Sequence, residues 1–189
     1  MWLELFSPRE CPGLYAGARF FREASIVLLP VGSYEDRPYG PFTLDTLFSL
    51  SVACRASKWC RALVLWPIGY GYSPAHRLWL GFPPRMLREV LRAVIGEASR
   101  LGRKVVVVDG HYGHKSLVEE AVSEKNAVYI NLWSALSSVF EDFQEQLGFE
   151  RMLADYFETG GAERSVVERV IGVLARLVCG EIGYAQRTL

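Results

Sequence analysis

Histidine occurs three times in this chain, and two of the three, His111 and His114, lie close together in the stretch VVVVDGHYGHK (105–115). Neutral imidazole is the commonest metal ligand at physiological pH. An imidazole placed directly after an apolar run and a glycine is aimed outward from a strand end. A second stretch, GSYEDRPYGPFTLDT (32–46), carries Glu35, Asp36, Arg37 and Asp45. Two carboxylates at the start and end of one loop can converge on a cation. Asp45 also reads as a cap or first-turn acid of a following helix. His111 and His114 also read as residues that fill a turn and cap a helix, and Asp109 as a partner for an imidazole or a cap. Neither stretch decides the chemistry alone.

A third stretch, GYGYSPAHRLWLGFPP (69–84), tests two familiar motifs. Gly69-x-Gly71 starts like a dinucleotide fingerprint, but Pro74 stands where the third glycine belongs. Gly71-Tyr72-Ser73-Pro74-Ala75 is laid out like a nucleophile elbow, yet no helix follows at once. The aromatics Trp66, Tyr70, Tyr72, Trp79 and Phe82 can wall a substrate pocket, and core or subunit interface accounts for them equally.

These loops need elements to position them. Four continuous apolar runs read as strands covered on both faces: Ser25–Val31, Ala62–Ile68, Lys104–Asp109 and Ala127–Leu132. Helical spacing separates them. It is clearest over Pro84–Leu101, where Leu87, Val90, Leu91, Val94, Ile95 and Ala98 repeat at steps of three and four before Gly102. Asp45–Lys58, Lys115–Ser123, Ser134–Leu147 and Glu163–Cys179 are further helices. Strands alternating with helices predict an α/β fold with a mostly parallel sheet. The ligand face of such a sheet lies beyond the carboxyl ends of its strands, where all three loops fall. The chain reads as a single domain, with Gly180–Leu189 a loose tail or contact arm.

Composition sets limits. Half of the 189 residues are hydrophobic, enough for a sizeable core, and 21 basic residues balance 21 acidic ones. No global charge favours nucleic acid or an anionic membrane. No apolar run is long enough to span a bilayer, and the first ten residues lack a signal-peptide layout. Four widely spaced cysteines, Cys11, Cys54, Cys60 and Cys179, predict neither a disulfide framework nor a structural zinc site. A cytoplasmic location follows as the default. Seventeen of the basic residues are Arg and only two Asn occur, a bias that heat adaptation and GC-rich coding would both produce.

Taken in order, the loops resemble the creatininase family of metal-dependent amidohydrolases. That family has a strand ending in P-x-G-S-x-E-x-H and a loop closing in T-D-T; here these read Pro30-Val31-Gly32-Ser33-Tyr34-Glu35-Asp36-Arg37 and Leu44-Asp45-Thr46. Its P-x-x-x-G-x-S-x-E-H loop leading into F-P-G-T is matched by Pro67–His76 running to Gly81-Phe82-Pro83-Pro84. Its V-x-N-G-H-x-x-N loop is matched by Val108-Asp109-Gly110-His111-Tyr112-Gly113-His114. A late H-A-G-E-x-E-T-S motif is echoed faintly by Glu158–Ser165.

The resemblance implies an α/β/α three-layer sandwich, a homo-oligomer and a small-molecule substrate. It also implies a divalent metal (zinc, iron or manganese) on Glu35, Asp45 and His111. The family's second metal uses a histidine and a glutamate at positions that are Arg37 and Gly113 here. One metal per chain is therefore expected, with the Arg37 guanidinium in the space of the second and serving as an oxyanion or phosphate clamp. Glu163, His114 or Glu158 would move the proton, and Tyr72, His76, Trp79 and Tyr112 would meet the substrate. The implied reaction is hydrolysis of a cyclic amide or formamide C–N bond. The alternative is a fold that has lost catalysis and serves as a binding module or non-catalytic subunit.

Overall fold

The computed structural model describes residues 7, 9–123, 127–140, 142–161 and 163–187. Four strands, β1 (Ile26–Val31), β2 (Leu63–Val64), β3 (Lys104–Asp109) and β4 (Ala127–Asn131), form one sheet in the order β2-β1-β3-β4. Every pairing is parallel. β1 and β3 are buried along almost their whole length, as their continuous apolar sequences require.

Alternate side chains of these strands enter different cores. Ile26, Leu28, Val106 and Val108 pack with α2 (Leu44–Cys60), α6 (Phe143–Thr159) and α7 (Arg164–Arg187) on one face. Val27, Leu29, Val105 and Val107 pack on the other with α3 (Pro84–Arg100) and α4 (Lys115–Ser123), and Phe20 of α1 (Ala18–Glu23) joins them. This is the expected α/β/α sandwich. α3 shows why the pattern was readable. Proline starts it, Leu87, Leu91, Ile95 and Ala98 form its buried stripe, and Gly102 ends it with a positive φ of 70°.

Several sequence expectations need correction. The expected second strand, Ala62–Ile68, shrinks to Leu63–Val64. The chain still runs beside β1, with Leu65 and Ile68 donating to the Leu28 and Pro30 carbonyls, but Pro67 has no N–H to extend the ladder. The expected helix Ser134–Leu147 is broken into the end of one short helix, a 3₁₀ turn (Leu136–Ser138) and the start of a longer helix. α5 (Leu132–Ala135) is capped by the Asn131 side chain, and α6 starts afresh at Asp142, which accepts from the Glu145 N–H at 2.8 Å. Asp142-x-x-Glu145 is a capping-box spacing. A helix, α1, lies where none was expected. The stretch from Gly180, expected as a loose tail or contact arm, continues α7 as a helix as far as Arg187.

The cysteines are the largest correction. Cys11 is disulfide-bonded to Cys54 and Cys60 to Cys179, with Cα atoms 4.4 and 5.7 Å apart. Sequence spacing carries no sign of these pairs, because each joins elements distant in the chain. Packing of α7 on α2 is what brings Cys179 to Cys60.

Candidate metal centre

The sheet order reverses direction between β1 and β3. β1 leads through α2 to β2 on one side, and β3 leads through α4 to β4 on the other. Such a switch point opens a crevice at the carboxyl ends of the two strands. Val31 pairs with Asp109 at that edge, and the 32–44 and 110–114 loops leave from there. Gly32 and Gly110 make the close approach possible. A Cβ on Gly32 would lie 2.4 Å from the Thr46 backbone nitrogen, and one on Gly110 would lie 2.1 Å from the Asp45 backbone carbonyl oxygen. The first turn of α2 is thereby pressed against both strand ends, and Asp45 with it.

Three of the expected residues converge. Glu35, Asp45 and His111 are 1 %, 0 % and 6 % exposed, and one ligand atom from each lies within 4.8 Å of the others. His111 Nδ1 is 2.7 Å from Asp45 Oδ2 and 3.4 Å from Glu35 Oε2. The longer distance matches two ligands of one tetrahedral ion at about 2.1 Å each. The shorter is a hydrogen bond that an ion would replace. The Ser33 hydroxyl donates to Asp45 Oδ2 at 2.7 Å and the Ser73 hydroxyl donates to Glu35 Oε2. Two carboxylates and an imidazole suit a divalent cation chemically, so the residues fit one.

The other oxygens of the same carboxylates face a different cation. Arg37 Nη2 lies 2.8 Å from Glu35 Oε1 and 2.5 Å from Asp45 Oδ1, and Nη1 donates to Glu150 Oε1 at 2.6 Å. The Arg37 side chain is 9 % exposed. Asp45 thus divides its oxygens between the guanidinium and the imidazole. Arg37 presents little of the clamp expected from sequence, because Nη2 donates to Glu35 and lies against Asp45 as an ion pair, while Nη1 donates to Glu150. Gly113 is equally informative. A Cβ there would sit 2.5 Å from His111 Nε2, so the present His111 rotamer depends on a glycine at 113.

Electrostatics follow from this packing. Burial opposes ionisation of Asp45, but the His111 hydrogen bond and the nearby Arg37 and His111 charges outweigh it and hold the carboxyl below its usual range. Burial would likewise strip His111 of its proton, yet Asp45, Glu35 and Asp109 push its pKa up. Burial also works against the Arg37 charge, and Asp45, Glu35 and Glu150 overcome it. Glu150 is shifted upward, chiefly by burial.

Beneath His111 lies a polar cradle. Asp109 Oδ1 accepts from the His111 backbone N–H and faces His114 Nε2, each at 2.9 Å; Oδ2 accepts from Tyr129 at 2.8 Å and Asn131 at 3.3 Å. Burial and Asp109 together raise the Tyr129 pKa, which keeps that phenol a donor. Asn131 also donates to the His111 carbonyl at 2.9 Å.

A cavity of 880 Å³ opens above the centre. Glu35, Arg37, His76, His111 and Tyr112 line it on the loop side, and Trp133, Gln146, Leu147 and Glu150 on the helix side. Of the four residues expected to meet the substrate, His76 and Tyr112 line this cavity. Tyr72 and Trp79 pack edge-on against each other, ring centroids 5.5 Å apart, and do not line this cavity. His114 is fully buried behind His111. Glu163 is exposed before α7, and Glu158 lines a separate depression with Tyr39, Gly40 and Arg151. The late sequence motif does not reach the centre. Glu150 was missed because nothing local marks it. It sits in mid-helix, and only the fold brings it to Arg37.

A family model described as creatinine amidohydrolase matches residues 16–166. No curated protein matches by sequence. Among solved structures, a creatinine amidohydrolase aligns over 88 % of this chain and 92 % of its own, with TM-score 0.66 and 17 % identity. A manganese creatininase aligns over 68 % of this chain and 60 % of its own, with TM-score 0.58 and 20 % identity. A creatininase variant complexed with creatine covers 63 % of this chain, with TM-score 0.58 and 19 % identity; this chain spans only 57 % of that protein's length. With the family model matching most of its length, the chain belongs to the creatininase family.

Proposed function

We propose that this protein is a metal-dependent amidohydrolase that cleaves the C–N bond of a cyclic amide or formamide, using one divalent ion per chain. The observation that carries this reading is the convergence of Glu35, Asp45 and His111 at the switch point of the sheet, beneath a cavity of 880 Å³. The manganese, Zn-Zn and creatine-bound forms of similar structures support the class of cofactor and of small-molecule substrate. An ion bound there would supply a Lewis acid and lower the pKa of water. The chain's own part is to position. Asp109 and Asn131 hold the 110–114 loop, and Ser33 and Ser73 orient the two carboxylates. His76 is aimed by its Nδ1, 2.6 Å from the Asp36 carbonyl, so that Nε2 lies 3.2 Å from Glu35 Oε1 at the cavity wall. Proton transfer falls to residues on that wall, His76 and Glu150, in preference to Glu163, His114 or Glu158.

A second reading, a binding module without catalysis, is favoured by Arg37 and Gly113, which hold the places of two ligands. Metal analysis separates the two. About one ion per chain in wild type, lost in Asp45→Ala and His111→Ala, supports the hydrolase and warrants a screen of formamides and cyclic amides. No ion after reconstitution with zinc, iron and manganese leaves the binding module.

We also place the protein in the cytoplasm, as a homo-oligomer. Among the described residues no helix is long and apolar enough to cross a membrane. Two disulfides in that compartment fit a heat-adapted host, where intracellular disulfides persist. Exposed Tyr34, Phe42, Tyr70, Leu78 and Leu80 on the site loops offer an apolar surface for assembly.

A further inference from the structure

We infer that Glu150 is a specificity-determining residue, which cancels the charge of Arg37 and restricts the cavity to uncharged substrates. The inference rests on the single-ion reading above and extends it to substrate class. Among the described residues Arg37 is the one lysine or arginine that lines the cavity, and a permanent guanidinium there would ordinarily recruit a carboxylate or phosphate. Its surroundings prevent this. Nη2 lies between Glu35 and Asp45, and Nη1 donates to Glu150 at 2.6 Å from the helix wall. Three carboxylates against one guanidinium and one divalent ion, with His111 a neutral ligand, leave no net charge to attract an anion. Glu35 and Asp45 are buried and committed to the centre itself. Glu150 is the member that reaches it from the cavity side, on α6, and its second oxygen shows no protein partner among the described residues. Among the described residues one hydrogen of Nη1 has no protein partner, and it is a donor suited to the oxygen of a neutral amide. Removal of the Glu150 charge converts the same pocket into an anion site without altering its walls.

The test needs no knowledge of the natural substrate. Inorganic phosphate is titrated by calorimetry into the full chain, metal-free and zinc-loaded, as wild type, Glu150→Gln and the double variant Arg37→Met/Glu150→Gln. Glutamine keeps an acceptor for Nη1 and removes only the charge. The expected result is phosphate binding at least tenfold tighter in Glu150→Gln than in wild type, with the gain lost in the double variant. Equal affinity in wild type and Glu150→Gln overturns the inference, and so does a gain that survives loss of Arg37. Glu150→Ala repeats the comparison if the glutamine variant is unstable. A chain that takes up no zinc refutes the hydrolase reading and this inference with it, whereas a zinc-loaded chain with equal phosphate affinities refutes the inference alone.

Discussion

Arg37→Met should be the most destabilising single change at this centre that leaves the metal ligands in place. The guanidinium is 9 % exposed and lies within 2.8 Å of an oxygen of each of three carboxylates, two of them almost wholly buried. Methionine fills much of the space but leaves Glu35 and Asp45 as neighbouring buried anions. Removing one partner of a buried ion pair costs about 3–5 kcal/mol, most of it from the charge left behind. For a chain of this length each kcal/mol moves the melting temperature by about 2–4 °C, so a fall of roughly 6–20 °C is expected. Differential scanning calorimetry on chelator-treated protein measures it. Two internal checks follow from the cause. The deficit should shrink as pH falls and the orphaned carboxylates take up protons, and Arg37→Lys, which keeps a cation, should lose less. A melting temperature within 2 °C of wild type at neutral pH would refute the account of Arg37 as the cation that holds this centre together.

Other outcomes follow from the same geometry. The raised pKa of His111 contributes stability that is fully present below the usual imidazole value of 6.5 and is lost as pH rises through the folded value; the metal-free chain should therefore melt lower on going from pH 6 to 9. Metal must displace that proton, so metal affinity should instead strengthen with pH, and calorimetry in buffers of different ionisation enthalpy should detect proton release. Gly113→Ala should weaken metal binding about tenfold, the scale seen when groups that orient a ligand are disturbed, because its Cβ would sit 2.5 Å from His111 Nε2; unchanged zinc affinity would show that the ring has room to turn. Replacing Cys60 and Cys179 by serine opens a closure of 119 residues and should cost about 2–4 kcal/mol, read as a lower urea midpoint.

The fold was legible wherever one physical constraint governed a whole segment. β1 and β3 are apolar throughout because both faces are covered, and α3 repeats at helical spacing because one face is. The ligand triad was legible for a related reason: Glu35 and His111 each follow a buried strand directly, and Asp45 opens the helix packed beneath them. Legibility failed where the deciding contact lay far away in sequence. Glu150 meets Arg37 across 113 positions, and Cys179 meets Cys60 across 119. No local pattern encodes either. The reading of Glu163 and Glu158 as proton carriers came from linear alignment of a faint motif, and the helix that carries Glu158 turns it toward Arg151 and Tyr39 instead. The break before α6 was present in the sequence as Asp142-x-x-Glu145, but the continuous periodicity of its neighbours obscured it.

Both disulfides end on α2. Cys54 and Cys60 fasten its second half to the N-terminal segment and to α7, while its first turn carries Asp45. At 1.5 Å per residue, Asp45 stands about 14 Å from the nearer anchor along a continuous rod. The amides of α2 should be among the last in the chain to exchange with deuterated solvent. The carboxylate shared between guanidinium and imidazole therefore sits on a fixed post. Any ion that binds there must conform to Asp45 rather than draw Asp45 to itself.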